Sequence, residues 1–193
     1  MNLLNRISRV YETAERIPFD DSSRIILMSD CHRGDGSKAD EFFRNESLYI
    51  SALNHYYNSG YTYIEIGDGD ELWENKKLSD IINEHLNVFH LLEEFHYEGR
   101  LHFIYGNHDM VKRNGKYVKS NLEEYYDIRE RKKLPLFENV RVHEGLVLEY
   151  RGGDRQSEIK EILLIHGHQI DPIGSTFWKF GRFLVRYFWK PLE

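Results

Sequence analysis

Apolar residues recur at helical spacing over residues 3–17, where Leu3, Leu4, Ile7, Val10, Ala14 and Ile17 share a stripe, and Pro18 ends that helix. Residues 24–29 form a short apolar run between polar clusters and read as a buried strand. A helical pattern over 38–58 closes before Gly60, a C-cap glycine. Residues 61–66, rich in β-branched and aromatic side chains, predict a second strand. A helix over 78–97 follows, stopping near Gly99, and 101–105 is a third strand. Strands alternating with helices of this length predict stacked βαβ units and a largely parallel sheet, an α/β fold.

Beyond residue 110 the alternation breaks down. Residues 110–135 are polar and strongly basic, interleaved with Glu123, Glu124, Asp127 and Glu130, and read as a helical cap with a solvated charged face. Residues 140–143 and 146–150 flank Glu144-Gly145 and predict a hairpin. Residues 161–165 are a further strand, and an aromatic, basic helix is expected within 174–190.

The chain has 193 residues with no low-complexity tract, repeat or Pro/Gly-rich linker, so 1–193 reads as a single domain. A hydrophobic fraction of 40% excludes a disordered chain, and a net charge of -6 argues against a nucleic-acid coat. One Cys rules out an intramolecular disulfide framework and fits a reducing compartment. No run approaches a membrane span, so the expected location is cytoplasmic. Ten His are the compositional oddity.

Several of them follow strands. After the first strand comes Asp30-Cys31-His32, after the second Gly67-Asp68-Gly69-Asp70, after the third Gly106-Asn107-His108-Asp109, and after the late strand His166-Gly167-His168. Ligands of open α/β sheets bind beyond the carboxyl ends of the strands, so these clusters should converge on one crevice. Asp, Asn and His offer hard oxygen and borderline nitrogen donors without thiolate, which suits Mn, Fe, Zn, Co or Mg. The spacing of two in Asp30-x-His32 puts both side chains on one side of an extended segment, with Cys31 on the other as a small buried hydrophobe. A carboxylate such as Asp68 can bridge two cations roughly 3.5–4 Å apart. The remaining His read as surface or core residues. Asp70, Glu71 and Glu74 read as a solvated helix start.

The ordered set of motifs resembles the calcineurin-like metallophosphoesterase superfamily, and the resemblance runs from about Arg24 to Asp171. It implies a sandwich of two sheets flanked by helices and a dinuclear site, with two divalent metal ions (Mn first among them), that hydrolyses phosphodiester, phosphomonoester or pyrophosphate bonds by a metal-bridging hydroxide. On that resemblance Asp30 and His32 ligate the first metal, Asp68 bridges, and Asn107 and His166 ligate the second. His108 protonates the leaving group and Asp109 orients its imidazole. Asn107 and His168 are read as contacts to the substrate phosphate.

The family pattern ends in a further Gly-His-x-His, and no such motif follows residue 168, so the chain reads as C-terminally truncated. The nearest look is to the bacterial branch near the UDP-2,3-diacylglucosamine pyrophosphatases, through the His-Gly motif and the aromatic, basic segment at 177–189. The implied partner is a phosphorylated small-molecule or lipid-linked substrate, with self-association or peripheral membrane contact through the terminal helix. The alternative is a catalytically weak scaffold of the same fold.

Overall fold

The computed structural model describes residues 3–38, 40–152, 160–170, 180, 182–185 and 187. The expected aromatic helix within 174–190, and Asp171, fall largely or wholly outside the described residues. In chain order the elements are α1 (Leu3–Thr13), β1 (Glu15–Phe19), β2 (Ile25–Met28), α2 (Glu46–Asn58), β3 (Thr62–Ile66), α3 (Leu78–Glu84), α4 (Leu86–Tyr97), β4 (Leu101–Ile104), α5 (Gly115–Asn121), β5 (Glu124–Asp127), β6 (Lys132–Pro135), β7 (Val142–His143), β8 (Gly145–Tyr150) and β9 (Lys160–Ile165). The class is mixed α/β with several sheets, as the alternating pattern predicts.

Four strands in the order β2-β3-β4-β7 form a wholly parallel sheet. A second sheet has the order β1-β8-β9, with β1 parallel and β9 antiparallel to β8. Period-two alternation assigns each face. Tyr63, Leu101 and Phe103 turn toward the helices and join a core with Leu53, Ile81, Phe89, Leu92 and Phe95. Ile64 and Ile104 turn the other way and meet Leu146, Leu148 and Leu164 of the second sheet. Burial of these two clusters holds all the parallel strands at a common level, so their carboxyl ends open onto one edge.

The structure corrects four details of the sequence reading. Pro18 does not end a helix: α1 stops at Thr13, and Pro18 lies within β1 opposite Glu149. Lacking an N–H, it is tolerated because β1 is an edge strand. The helix expected over 78–97 breaks at His85, whose φ of -105° and ψ of 36° are non-helical. That ring is fully buried between Asp40 (2.9 Å) and Glu46 (3.2 Å).

Residues 140–143 and 146–150 do not form a hairpin. β7 pairs with β4 while β8 joins the other sheet, so Glu144 is the crossing between sheets. Only the first half of 110–135 is helical; β5 and β6 form an antiparallel hairpin in the second half. Among the described residues, no helix is long and apolar enough to cross a membrane.

Candidate metal centre

The loops after β2 and β3 run side by side beyond the sheet. Asp30 N–H donates to Gly67 O (3.1 Å), His32 N–H to Asp68 O (2.9 Å) and Arg33 N–H to Gly69 O (3.0 Å). Asp30, His32 and Asp68 all adopt left-handed backbone conformations, with φ of 54°, 49° and 50°. A β-carbon resists that region, and strain of this kind persists where the surrounding structure over-determines it, characteristically at functional sites. The Asp30-x-His32 segment is therefore not extended as expected. Its two side chains still share a side, and Cys31 packs toward the helix-side core, where burial pushes its thiol up to about 11.

The turn after β4 brings Asn107 and His108 beside these loops. Glycine is required before it, because a β-carbon on Gly106 would collide with the Asp68 carboxylate. One Asp68 oxygen, Oδ1, accepts the His108 backbone N–H at 2.8 Å. The other, Oδ2, lies 3.2 Å from His166 Nε2 and 4.0 Å from His32 Nε2. His166 Nε2 is also 3.2 Å from Asn107 Oδ1, and His32 Nε2 is 3.9 Å from Asp30 Oδ1. Asp30, Asp68 and His166 thus present donors to a common point.

The two 3.2 Å separations at His166 match the edges of a coordination shell. Donors about 2.0–2.2 Å from a cation and at right angles to one another stand roughly 3 Å apart. His166 Nδ1 donates to Ile66 O (2.9 Å), which leaves Nε2 as the lone-pair nitrogen facing the cluster. Without a cation the Asp68 carboxylate overrides the lowering by burial and raises the imidazole to about 9, so Nε2 would give up a proton on taking a cation. Burial opposes ionisation of Asp68, yet His166 and His108 keep its carboxyl below the usual carboxylate range. Oxygen and imidazole donors without thiolate fit Mn, Fe, Co or Zn.

A second group lies alongside. Glu71 Oε2 is 2.8 Å from His32 Nδ1 and 2.6 Å from His108 Nδ1, while Oε1 accepts the Trp73 N–H at 3.0 Å. Burial opposes ionisation of Glu71, but the two imidazoles draw its pKa down to about 2. Trp73 stacks on His108 at 4.2 Å and 11°, and its indole N–H donates to Asn107 O at 2.7 Å. One carboxylate and one indole therefore orient both histidines.

Two sequence expectations are corrected by this geometry. Asp109 does not orient His108; its carboxylate folds back beneath the turn onto the Gly106 N–H (2.6 Å) and Lys112 Nζ (2.7 Å) and is fully buried. Glu71 and Asp70 are not a solvated helix start; both are buried, Glu71 on the histidines and Asp70 on Arg33 and Lys112. A Glu three residues beyond Asp68, next to an apolar Leu-Trp pair, was the available signal. His168 lies against Tyr105 and His166, buried, with burial first and His166 second lowering its imidazole to about 4.

Beneath the donors runs a buried chain of charges, of which Asp70 and Lys112 read as solvated residues in the sequence. Arg33 forms two bonds to Glu65 (2.7 and 2.9 Å) and one to Asp70 (2.8 Å). Lys112 Nζ joins Asp70 (2.6 Å) to Asp109. The chain ties the loops after β2, β3 and β4 to one another and to β3.

Comparison of the chain with protein-family models, with curated proteins and with solved structures finds no match. The functional reading therefore stands on the geometry and on the motifs themselves.

Proposed function

We propose that the chain is a metal-dependent phosphoesterase that holds two divalent cations, manganese first among them. Asp30, His32 and Asp68 would hold one; Asp68, Asn107 and His166 would hold the other. The observation that carries the reading is Asp68 Oδ2, which lies between two imidazole Nε2 atoms from different strand ends. Bound cations would neutralise charge developing on a phosphoryl group and acidify water.

The chain's own residues supply the rest. His108 has Nδ1 committed to Glu71, which leaves Nε2 as the nitrogen that gives a proton to a departing alkoxide. Glu71 holds the ring in place. The Asp68 Oδ1 bond to the His108 backbone N–H couples the donor cluster to the proton donor.

The test is elemental analysis of manganese-loaded protein together with turnover of phosphate esters. About two metals per chain and metal-dependent turnover are expected. Asn107→Ala and His108→Ala should abolish turnover and leave the fold intact. One metal or none, or variants as active as the parent, would overturn the reading.

A further inference from the structure

Asp30 and His32 belong to the donor cluster and also line a cleft of about 510 Å³. That volume lies within the roughly 300–1,000 Å³ typical of small-molecule sites. The cleft runs along α2 and the short turn before it, where Phe42, Leu48, Tyr49 and Ala52 form an apolar wall opposite Met28 and Cys31. Leu48 is 73% exposed, an apolar side chain left in solvent at the cleft. The polar groups beside it are Glu41 and Asn45, and none of the described lining residues is a lysine or an arginine. Glu41 precedes the short 3-10 turn Phe42–Asn45, yet its side chain makes no capping bond.

A second cavity, of about 560 Å³, is lined by Arg113, Arg141 and His143 and shares no residue with the donor cluster. Cationic side chains therefore exist on the surface, but not where a group attached to the reacting phosphate would lie.

Resting on the phosphoesterase reading, we propose that the cleft holds the alcohol-derived part of the substrate. It selects an apolar or aromatic group that carries no second negative charge. A phosphoryl group held at Asp30 and His32 directs its ester substituent into the adjoining cleft. Burial against Phe42, Tyr49 and Leu48 favours an apolar substituent. The Glu41 carboxylate, with no cation beside it in the lining, repels an anionic one.

Calorimetry on the manganese-loaded full chain tests this with three non-hydrolysable probes: methylphosphonate, phenylphosphonate and 4-carboxyphenylphosphonate. Phenylphosphonate should bind at least tenfold more tightly than methylphosphonate, and the 4-carboxy analogue at least tenfold more weakly than phenylphosphonate. Ala52→Trp, which fills the cleft, should bring phenylphosphonate down to the methylphosphonate level. The exposed Glu41→Lys should remove the penalty on the 4-carboxy analogue. Equal binding of all three probes overturns the cleft assignment and leaves the phosphoesterase reading standing. No binding by any of them overturns both.

Discussion

Residues one or two positions apart in the three loops after β2, β3 and β4 divide between two environments. His32, Asp68 and His108 turn toward the donor cluster, while their neighbours Arg33, Asp70 and Asp109 turn down into the buried charge chain. Below, the Arg33–Asp70–Lys112–Asp109 contacts of 2.6–2.8 Å pair opposite charges, and each of these side chains is at most 3% exposed. Above, two carboxylates, an amide oxygen and imidazole nitrogens converge with no lysine or arginine among these described residues, on strained backbone. The same residue types thus serve stability where they are paired and chemical potential where they are not. A site that concentrates donors costs stability, and the ionic chain beneath offsets part of that cost by locking the loops.

The largest effect that would break this contrast is on the lower layer. Arg33→Met strands Glu65 as a buried carboxylate without its cation and leaves Asp70 with Lys112 alone, and should cost about 3–5 kcal/mol in denaturant unfolding. A loss below 1 kcal/mol would mean that the chain of charges is not a structural tie.

The upper layer should respond chiefly in turnover. Asp68→Asn keeps a side chain that tolerates left-handed backbone and still accepts the His108 N–H. It removes one charge from the donor cluster, so turnover should fall on the order of a thousandfold. Stability should fall by less than in Arg33→Met, because Asp68 gives up its ion pair with His166 but keeps its bond to the His108 N–H. A variant that loses stability and keeps its turnover would reverse the assignment of the two layers.

Between the layers, Glu71→Gln keeps the shape but removes the charge that holds His32 and His108. Metal affinity or turnover should drop about 10–100-fold. The acidic limb of the pH–rate profile should also move, a change that a merely structural Glu71 would not produce.

The smallest effect concerns His85, outside both layers. Burial lowers its pKa, but Asp40 and Glu46 raise it above the ordinary 6.5. Its contribution is therefore complete below 6.5 and fades as pH rises through the elevated folded value. Asp40, held below its ordinary 3.8 by His85 despite burial, contributes above that pH and loses its contribution as pH falls further. The stability gap between the parent and Asp40→Asn should be widest near pH 5–6 and narrow by about 1 kcal/mol toward pH 9. A gap independent of pH would show that His85 stays neutral.

Periodicity located most of the strands and helices that position the loops, because alternating burial on a sheet and stripes on helices leave a one-dimensional trace. It failed at Pro18 and at Glu144-Gly145, where sheet membership matters. Nothing local distinguishes an edge strand from a helix stop, or a hairpin turn from a crossing between sheets. The candidate ligands were legible because each directly follows an apolar strand. Glu71, Arg33, Lys112 and the His85–Asp40 contact were not. A charged residue in a polar loop reads as solvated until its partner, 37 to 45 positions away, is seen beside it.

The sequence by itself determined the α/β class, the parallel sheet and the strand ends that carry Asp30, His32, Asp68, Asn107, His108 and His166, since each is written in neighbouring residues. Only the tertiary structure decided which carboxylate meets which imidazole, that Glu71 rather than Asp109 holds His108, and that a basic run at 112 begins with a buried lysine. Those choices depend on contacts between distant segments, and a buried charge is defined by its partners rather than by its position in the chain.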